Sequence, residues 1–202
     1  TTYVGPFLNE AKNRGFEVPF SVYSSWQQFQ SRLSRNWSRT VSTNGYYPIS
    51  MTELQQAYRL YSLALSGEPQ MGAMNRMREI KNLSLQAKWR LAASYAIAGR
   101  KEVANEIIYN LPDEIDGYSA NNDTYGNSAR DRAMIMETYL LLDKIEKALT
   151  LSQAIANELS SRYVSSHTIS YGLIAMSQLA KEMGQTNIEI DWWLNGKKMN
   201  AI

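Results

Sequence analysis

Residues 84–98 read SLQAKWRLAASYAIA. Leu85, Trp89, Leu91, Ala92, Ala93, Tyr95, Ala96 and Ile97 leave no broad polar side on a helix, and no period-two alternation runs through them. A helix that is apolar all round is buried all round. Gly99 stands next, at the position where a helix is stopped by a left-handed residue. The stretch therefore predicts a short, fully buried helix, and the fold must supply other helices to cover it.

Three further segments have the same character. Residues 50–66 carry Met51, Leu54, Ala57, Tyr58, Leu60, Tyr61, Leu63, Ala64 and Leu65. Residues 129–142 carry Ala133, Met134, Ile135, Met136, Tyr139, Leu140, Leu141 and Leu142. Residues 167–183 carry Ile169, Tyr171, Leu173, Ile174, Ala175, Met176, Leu179 and Ala180. Between these lie segments with a single stripe. Val22, Trp26, Phe29, Leu33 and Trp37 mark 22–38; Met71, Met74 and Met77 mark 70–80. Val103, Ala104, Ile107 and Ile108 mark 101–110; Ile145, Ala148, Leu149, Ser152, Ile155 and Leu159 mark 145–160. Such helices cover a core on one side and meet water on the other. With 6–14 as a first inner helix, inner and outer helices alternate along the chain. Stops are encoded at Gly15, Gly67, Gly99, Asp143-Lys144 and Gly184, and Ser50 with Glu53 forms a capping-box pattern.

This alternation predicts an all-α array of helical hairpins. A tetratricopeptide-like solenoid requires a repeat of about 34 residues, and neighbouring segments do not reproduce the loose match around Trp89, Tyr95, Gly99 and Pro112. An α/α toroid, with inner helices around an axis and outer ones wrapped about them, agrees better with inner helices apolar on every side. Residues 1–184 are expected to form the toroid domain, incomplete on its N-terminal side.

Composition narrows the chemistry. Twenty-one basic and nineteen acidic residues give a formal charge of +2, without the clustered basic stripe of a nucleic-acid binder. The chain has no cysteine, hence no disulfide, thiolate metal site or cysteine nucleophile, and its single histidine, His167, excludes a His-rich metal centre. No cofactor is expected. No apolar run reaches the ~20 residues of a membrane-spanning helix. The opening Thr1-Thr2-Tyr3-Val4-Gly5 carries no signal peptide and reads as the start of a segment from inside a longer polypeptide. At the other end, Ile188-Glu189-Ile190-Asp191-Trp192 alternates as a strand and Asn195-Gly196 signals a hairpin turn. Residues 185–202 are thus expected to lead into a β-domain. Residues 111–128, LPDEIDGYSANNDTYGNS, are polar and aperiodic and read as a long surface loop.

Three stretches carry a family resemblance. Thr2-Tyr3-Val4-Gly5 through Phe7-Leu8, Glu10-Ala11 and Gly15 to Pro19 resembles the T-x-Y…F-L-x-E-A…G-x-x-V-P segment of bacterial alpha-2-macroglobulin-like proteins. Residues 130–138, RDRAMIMET, resemble their R-D-R-A-M-I-L-E-T helix, and residues 165–175, SSHTISYGLIA, their S-T-Q-T-x-A-Y-A-L-L-A helix. The three occur here in the family's order. The resemblance implies the thioester domain of that family, a complement-like α/α toroid followed by a β-domain. It also implies an extracytoplasmic setting, in the periplasm or cell envelope. Members of the family are protease inhibitors with a part in defence: a bait region is cut, the protein rearranges and an internal thioester acylates the attacker. That thioester joins a Cys to a Gln side chain within Cys-x-Glu-Gln. With no cysteine this chain cannot form it; either the motif lies upstream or the parent lacks it.

The candidate residues emerge from both readings. Arg130, Asp131, Arg132 and Glu137 fall on a buried helix, where charges require partners; they are expected to form a structural or interface network rather than a catalytic pair. His167, among Ser165, Ser166 and Thr168, reads as part of a helix start, with a general base as the sharper alternative. Asp123 in the long loop would matter if the chain were a carbohydrate-active toroid enzyme, whose carboxylates stand about 5–10 Å apart. The Met71, Met74 and Met77 stripe reads as packing. The expectation is a non-catalytic helical domain whose partners are neighbouring β-domains of its own polypeptide and, for the intact protein, proteases. A carbohydrate-active enzyme and a helical-repeat binding module are the alternatives.

Overall fold

Among the described residues, five helices end in the same kind of backbone reversal. Gly15, Gly67, Gly99 and Gly184 take φ of +80°, +81°, +74° and +80°, and Asp143 takes +59°. At four of these sites the two bonds of a Schellman turn are present. The Gly67 N–H donates to the Ala64 carbonyl at 3.0 Å and Glu68 N–H to that of Leu63 at 2.9 Å. Gly99 and Arg100 donate likewise to Ala96 and Tyr95, Asp143 and Lys144 to Leu140 and Tyr139, and Gly15 and Phe16 to Lys12 and Ala11. These are the stops legible in the sequence.

The computed structural model describes residues 4–39, 49–115, 128–160, 164–184, 192–194 and 197–199. Among them the helices are α1 (Val4–Asn13), α2 (Phe20–Asn36), α3 (Ile49–Leu65), α4 (Met71–Arg78) and α5 (Leu85–Ile97). Beyond these come α6 (Lys101–Ile108), α7 (Ser128–Leu141), α8 (Ile145–Leu159) and α9 (Ser166–Glu182). Trp192–Leu194 (β1) and Lys197–Met199 (β2) lie antiparallel, with Trp192 opposite Met199. The chain is all-α, as the periodicity predicts. The expected strand at 188–191 and most of the 111–128 loop lie outside the described residues.

The odd-numbered helices pack in series: α1 on α3, α3 on α5, α5 on α7, α7 on α9. The even-numbered ones cover them. α2 lies against α1, α3 and α4; α4 and α6 lie against α5; α8 lies against α7 and α9. Leu60 and Leu63 of α3, Trp89 and Leu91 of α5, and Ile135 and Met136 of α7 are at most 1 % exposed. Met74 and Met77 are fully buried in the same core, so the methionine stripe is packing. A second, smaller cluster forms on another face of the same helices around Tyr58, Tyr61 and Ala93, joined by Ile97, Leu141 and Tyr171. Possession of two packed faces is why residues 84–98 carry apolar side chains all round.

Three helices depart from the sequence reading. The expected first inner helix, α1, buries only Gly5, and its Phe7 is 71 % exposed. The apolar pattern of 167–183 predicts a helix covered on every side. Instead Ala175 and Leu179 of α9 are buried, whereas Leu173 and Ile174 are 57 % and 55 % exposed. The helix has α7 and α8 beside it and no further odd-numbered helix beyond among the described residues. In α2 the buried face is Tyr23, Trp26, Gln30 and Ser34, while Val22 and Phe29 of the expected stripe are exposed. Polar contacts set this rotation. Arg59 Nε of α3 donates to Gln30 Oε1 at 3.1 Å, and Gln56 Nε2 donates to the Ser34 carbonyl at 3.0 Å. Trp26 lies so close to Gly5 of α1 that a Cβ there would meet its ring at 2.0 Å.

The Glu53 carboxylate, expected in a capping box with Ser50, reaches other segments instead. Its Oε2 accepts the Ser84 N–H ahead of α5 at 2.9 Å, and its Oε1 sits 2.7 Å from Arg39 Nε, just past α2. One buried carboxylate thus ties three segments together.

Candidate functional site

The side chains with most chemical potential converge on the smaller cluster. Tyr58 and Tyr61, three apart on α3, share one helical face. Arg90 of α5 lies against them, its guanidinium carbon 4.6 Å and 4.2 Å from the two ring centres. Glu137 of α7 closes the group. Its Oε2 accepts Arg90 Nη1 at 2.5 Å, and its Oε1 accepts the Tyr61 hydroxyl at 2.5 Å and Gln178 Nε2 of α9 at 3.2 Å. One carboxylate therefore collects donors from α3, α5 and α9. Arg90 is 1 % exposed, so its charge is tolerable only with such partners.

The electrostatics derive from this packing. Burial pushes the Tyr61 hydroxyl well above its ordinary range, and the Glu137 carboxylate pushes it further. Burial disfavours the charge on Arg90, but Tyr58, Glu137 and Tyr61 outweigh it and hold the guanidinium more firmly charged than usual. Both Glu137 oxygens are engaged, and the tyrosine keeps its proton. The arrangement is suited to cross-linking helices. Among the described residues Arg90 Nε and Gln178 Oε1 are buried without a hydrogen-bond partner.

The four candidates on α7 separate into three groups. Arg130 and Asp131 form one buried pair, with Arg130 Nη2 2.9 Å from Asp131 Oδ1. Burial pushes Asp131 up to about 7, against the opposing influence of Gln86 and Arg90. Arg132 points elsewhere: Nη1 reaches Glu158 of α8 at 2.8 Å and Nη2 pairs with Glu114. Glu137 belongs with Arg90 and has no bond to Arg130 or Asp131 among the described hydrogen bonds. Helical geometry separates them: Glu137 lies six or seven positions along α7 from that pair.

His167 stands in the first turn of α9, where the cap is made by its neighbour: Ser165 Oγ accepts the Thr168 N–H at 3.1 Å. Asp123 lies outside the described residues. Arg90 is not among the residues that sequence reasoning singles out. The available signal is an arginine between Trp89 and Leu91 in a predominantly apolar helix. A second polar cluster sits beside the start of the long loop. The Tyr139 hydroxyl donates to Asp113, Lys147 Nζ lies 5.1 Å from the Tyr139 ring, and Trp89 Nε1 donates to the Pro112 carbonyl at 3.2 Å. Burial and the Asp113 carboxylate push Tyr139 upward as well.

Among the described residues no group of three or more His, Asp or Glu side chains is placed to hold a metal ion, and no helix is long and apolar enough to cross a membrane. No protein family, curated protein or solved structure matches the chain.

Proposed function

We propose that this chain is a non-catalytic helical domain of an alpha-2-macroglobulin-like extracytoplasmic protein, with the odd-numbered helices as the inner ring of an α/α toroid. The observation that carries the reading is the serial packing of α1, α3, α5, α7 and α9 with even-numbered helices over them. Two of the three stretches that carry the resemblance, 130–138 and 165–175, fall on or at the start of α7 and α9 in that series. The role is architectural. The domain docks on neighbouring β-domains and moves with them when a protease cuts the intact protein. Cross-linking of four helices through Glu137 suits a body that moves as a unit. The carbohydrate-enzyme alternative has less support, because Asp131 is 1 % exposed and engaged by Arg130.

The test uses the complete polypeptide that contains this chain. Incubation with a broad-specificity protease should leave the protease retained, with activity on small substrates but reduced activity on proteins, and should shrink the radius of gyration measured by X-ray scattering. A polypeptide without β-domains on either side, or one that is cut without change in shape and without retention, overturns the proposal.

A further inference from the structure

Along α2, Ser24, Gln28, Arg32 and Arg35 line an open groove of about 790 Å³ whose far wall is Glu68 and Gln70 of the α3–α4 connection. That volume is within the range of ligand sites. The groove's cations differ from six other arginines among the described residues. Arg14, Arg39, Arg78, Arg90, Arg130 and Arg132 each lie within 4 Å of a carboxylate. Arg32 and Arg35 have no such partner among the described residues. Arg32 is held 5.8 Å from the ring of Phe29, which is 44 % exposed. Arg76 Nη2 donates to the Arg35 carbonyl at 2.9 Å, which brings a third guanidinium without a carboxylate partner among the described residues to the same edge. Like charges gathered on one face repel, and a bound anion relieves that repulsion.

We propose that this groove binds an extended peptide segment carrying a pair of acidic side chains beside an apolar one. Charge decides between ligand classes. Two lining guanidiniums against the single Glu68 carboxylate accommodate one or two ligand charges. A nucleic acid or an acidic polysaccharide is charged at every repeat and would place its remaining charges against Glu68 and neutral amides. Guanidiniums grip carboxylates bidentately. Ser24 and Gln70 already donate to the Ser21 and Glu68 carbonyls, so Gln28 and the side-chain oxygens of Ser24 and Gln70 are what the groove offers a peptide backbone, and Phe29 offers an apolar seat. This inference stands independently of the family reading.

The test is fluorescence anisotropy with the 202-residue chain and a fluorescein-labelled hexapeptide Gly-Glu-Glu-Phe-Gly-Ser. Binding is expected to weaken roughly tenfold for the Gln-Gln counterpart of the peptide and, separately, for Arg32→Ala with Arg35→Ala. Arg14→Ala, which removes an exposed cation paired with Glu10, should leave it unchanged. Circular dichroism melts confirm that each variant is folded. Absence of saturable binding, equal binding of the Gln-Gln peptide, or equal binding by the double variant overturns the proposal. So does stronger competition, charge for charge, by polygalacturonate than by unlabelled hexapeptide.

Discussion

Replacing Glu137 with alanine is the most direct probe of the four-helix cross-link. The substitution removes three accepted hydrogen bonds at once, from Tyr61 and Arg90 at 2.5 Å and from Gln178 at 3.2 Å. The larger effect falls on Arg90, which is 1 % exposed and loses the carboxylate paired with it at 2.5 Å. Breaking a buried ion pair by removing one partner typically costs about 3–5 kcal/mol. Two features favour the lower end. The Glu137 side chain is 13 % exposed, so water enters where it stood, and the faces of Tyr58 and Tyr61 continue to stabilise the guanidinium. The expectation is therefore a loss of about 3 kcal/mol, which for a chain of this size lowers the melting temperature by roughly 10 °C. Thermal and urea melts followed by circular dichroism measure it. A double replacement, Arg90→Met with Glu137→Leu, should regain at least half of the loss, because no charge is then left buried. A loss below about 1 kcal/mol for Glu137→Ala, or a double variant no more stable than the single one, would refute the view that this carboxylate holds a buried cation in place.

Four other substitutions read separate parts of the structure. The Asp131 carboxyl titrates near 3.8 when unfolded and at about 7 when folded, so the folded state binds more protons between these values and stability falls as pH rises from about 4 to 7. The adjacent Arg130 favours the carboxylate and makes about 4 kcal/mol an upper limit for the fall; Asp131→Asn should flatten this slope in urea melts taken across that range. Ser165→Ala removes the α9 cap and should cost about 1 kcal/mol; an unchanged urea midpoint would assign the cap elsewhere. Gly5→Ala should cost about 1–3 kcal/mol, because the new methyl meets the ring of the buried Trp26. Gly172→Ala should cost less, since at 2.9 Å it meets the flexible end of Leu159. Hydrogen exchange of α1 amides distinguishes the two, and equal exchange would contradict the close approach of α1 to α2.

The helices were legible because burial and period leave direct traces in composition. Residues 84–98 and 129–142 are apolar on nearly all sides and are covered on nearly all sides. The turns were legible for a different reason, since a left-handed backbone selects Gly, or an Asp such as Asp143, by local sterics alone. The facing of α2 was not legible. Its buried face shares Trp26 with the apolar stripe but is turned toward Gln30 and Ser34, which bond to Arg59 and Gln56, residues from a different helix. The same limit hid the cross-link. Glu137 was visible as a charge needing a partner, but Arg90, Tyr61 and Gln178 lie 47, 76 and 41 positions away. Helical period assigns a residue to a face and is silent on what meets that face. The exposed Leu173 and Ile174 reflect the same silence.

The repeated left-handed reversal has a consequence for how such a chain changes over generations. Each odd-numbered helix is ended by bonds within its own last turn, so the reversal does not depend on the even-numbered helix after it. The intervals between the five reversals are unequal. The even-numbered helices, from eight residues in α4 and α6 to fifteen in α8 and seventeen in α2, absorb part of the difference, and the connections beside them absorb the rest. Insertions and deletions in that covering half can accumulate without disturbing the register of the buried half. Lineages of this fold should therefore diverge in length and sequence on the outside while the packed series within stays nearly constant, which makes distant kinship easier to see in the spacing of reversals than in residue identity.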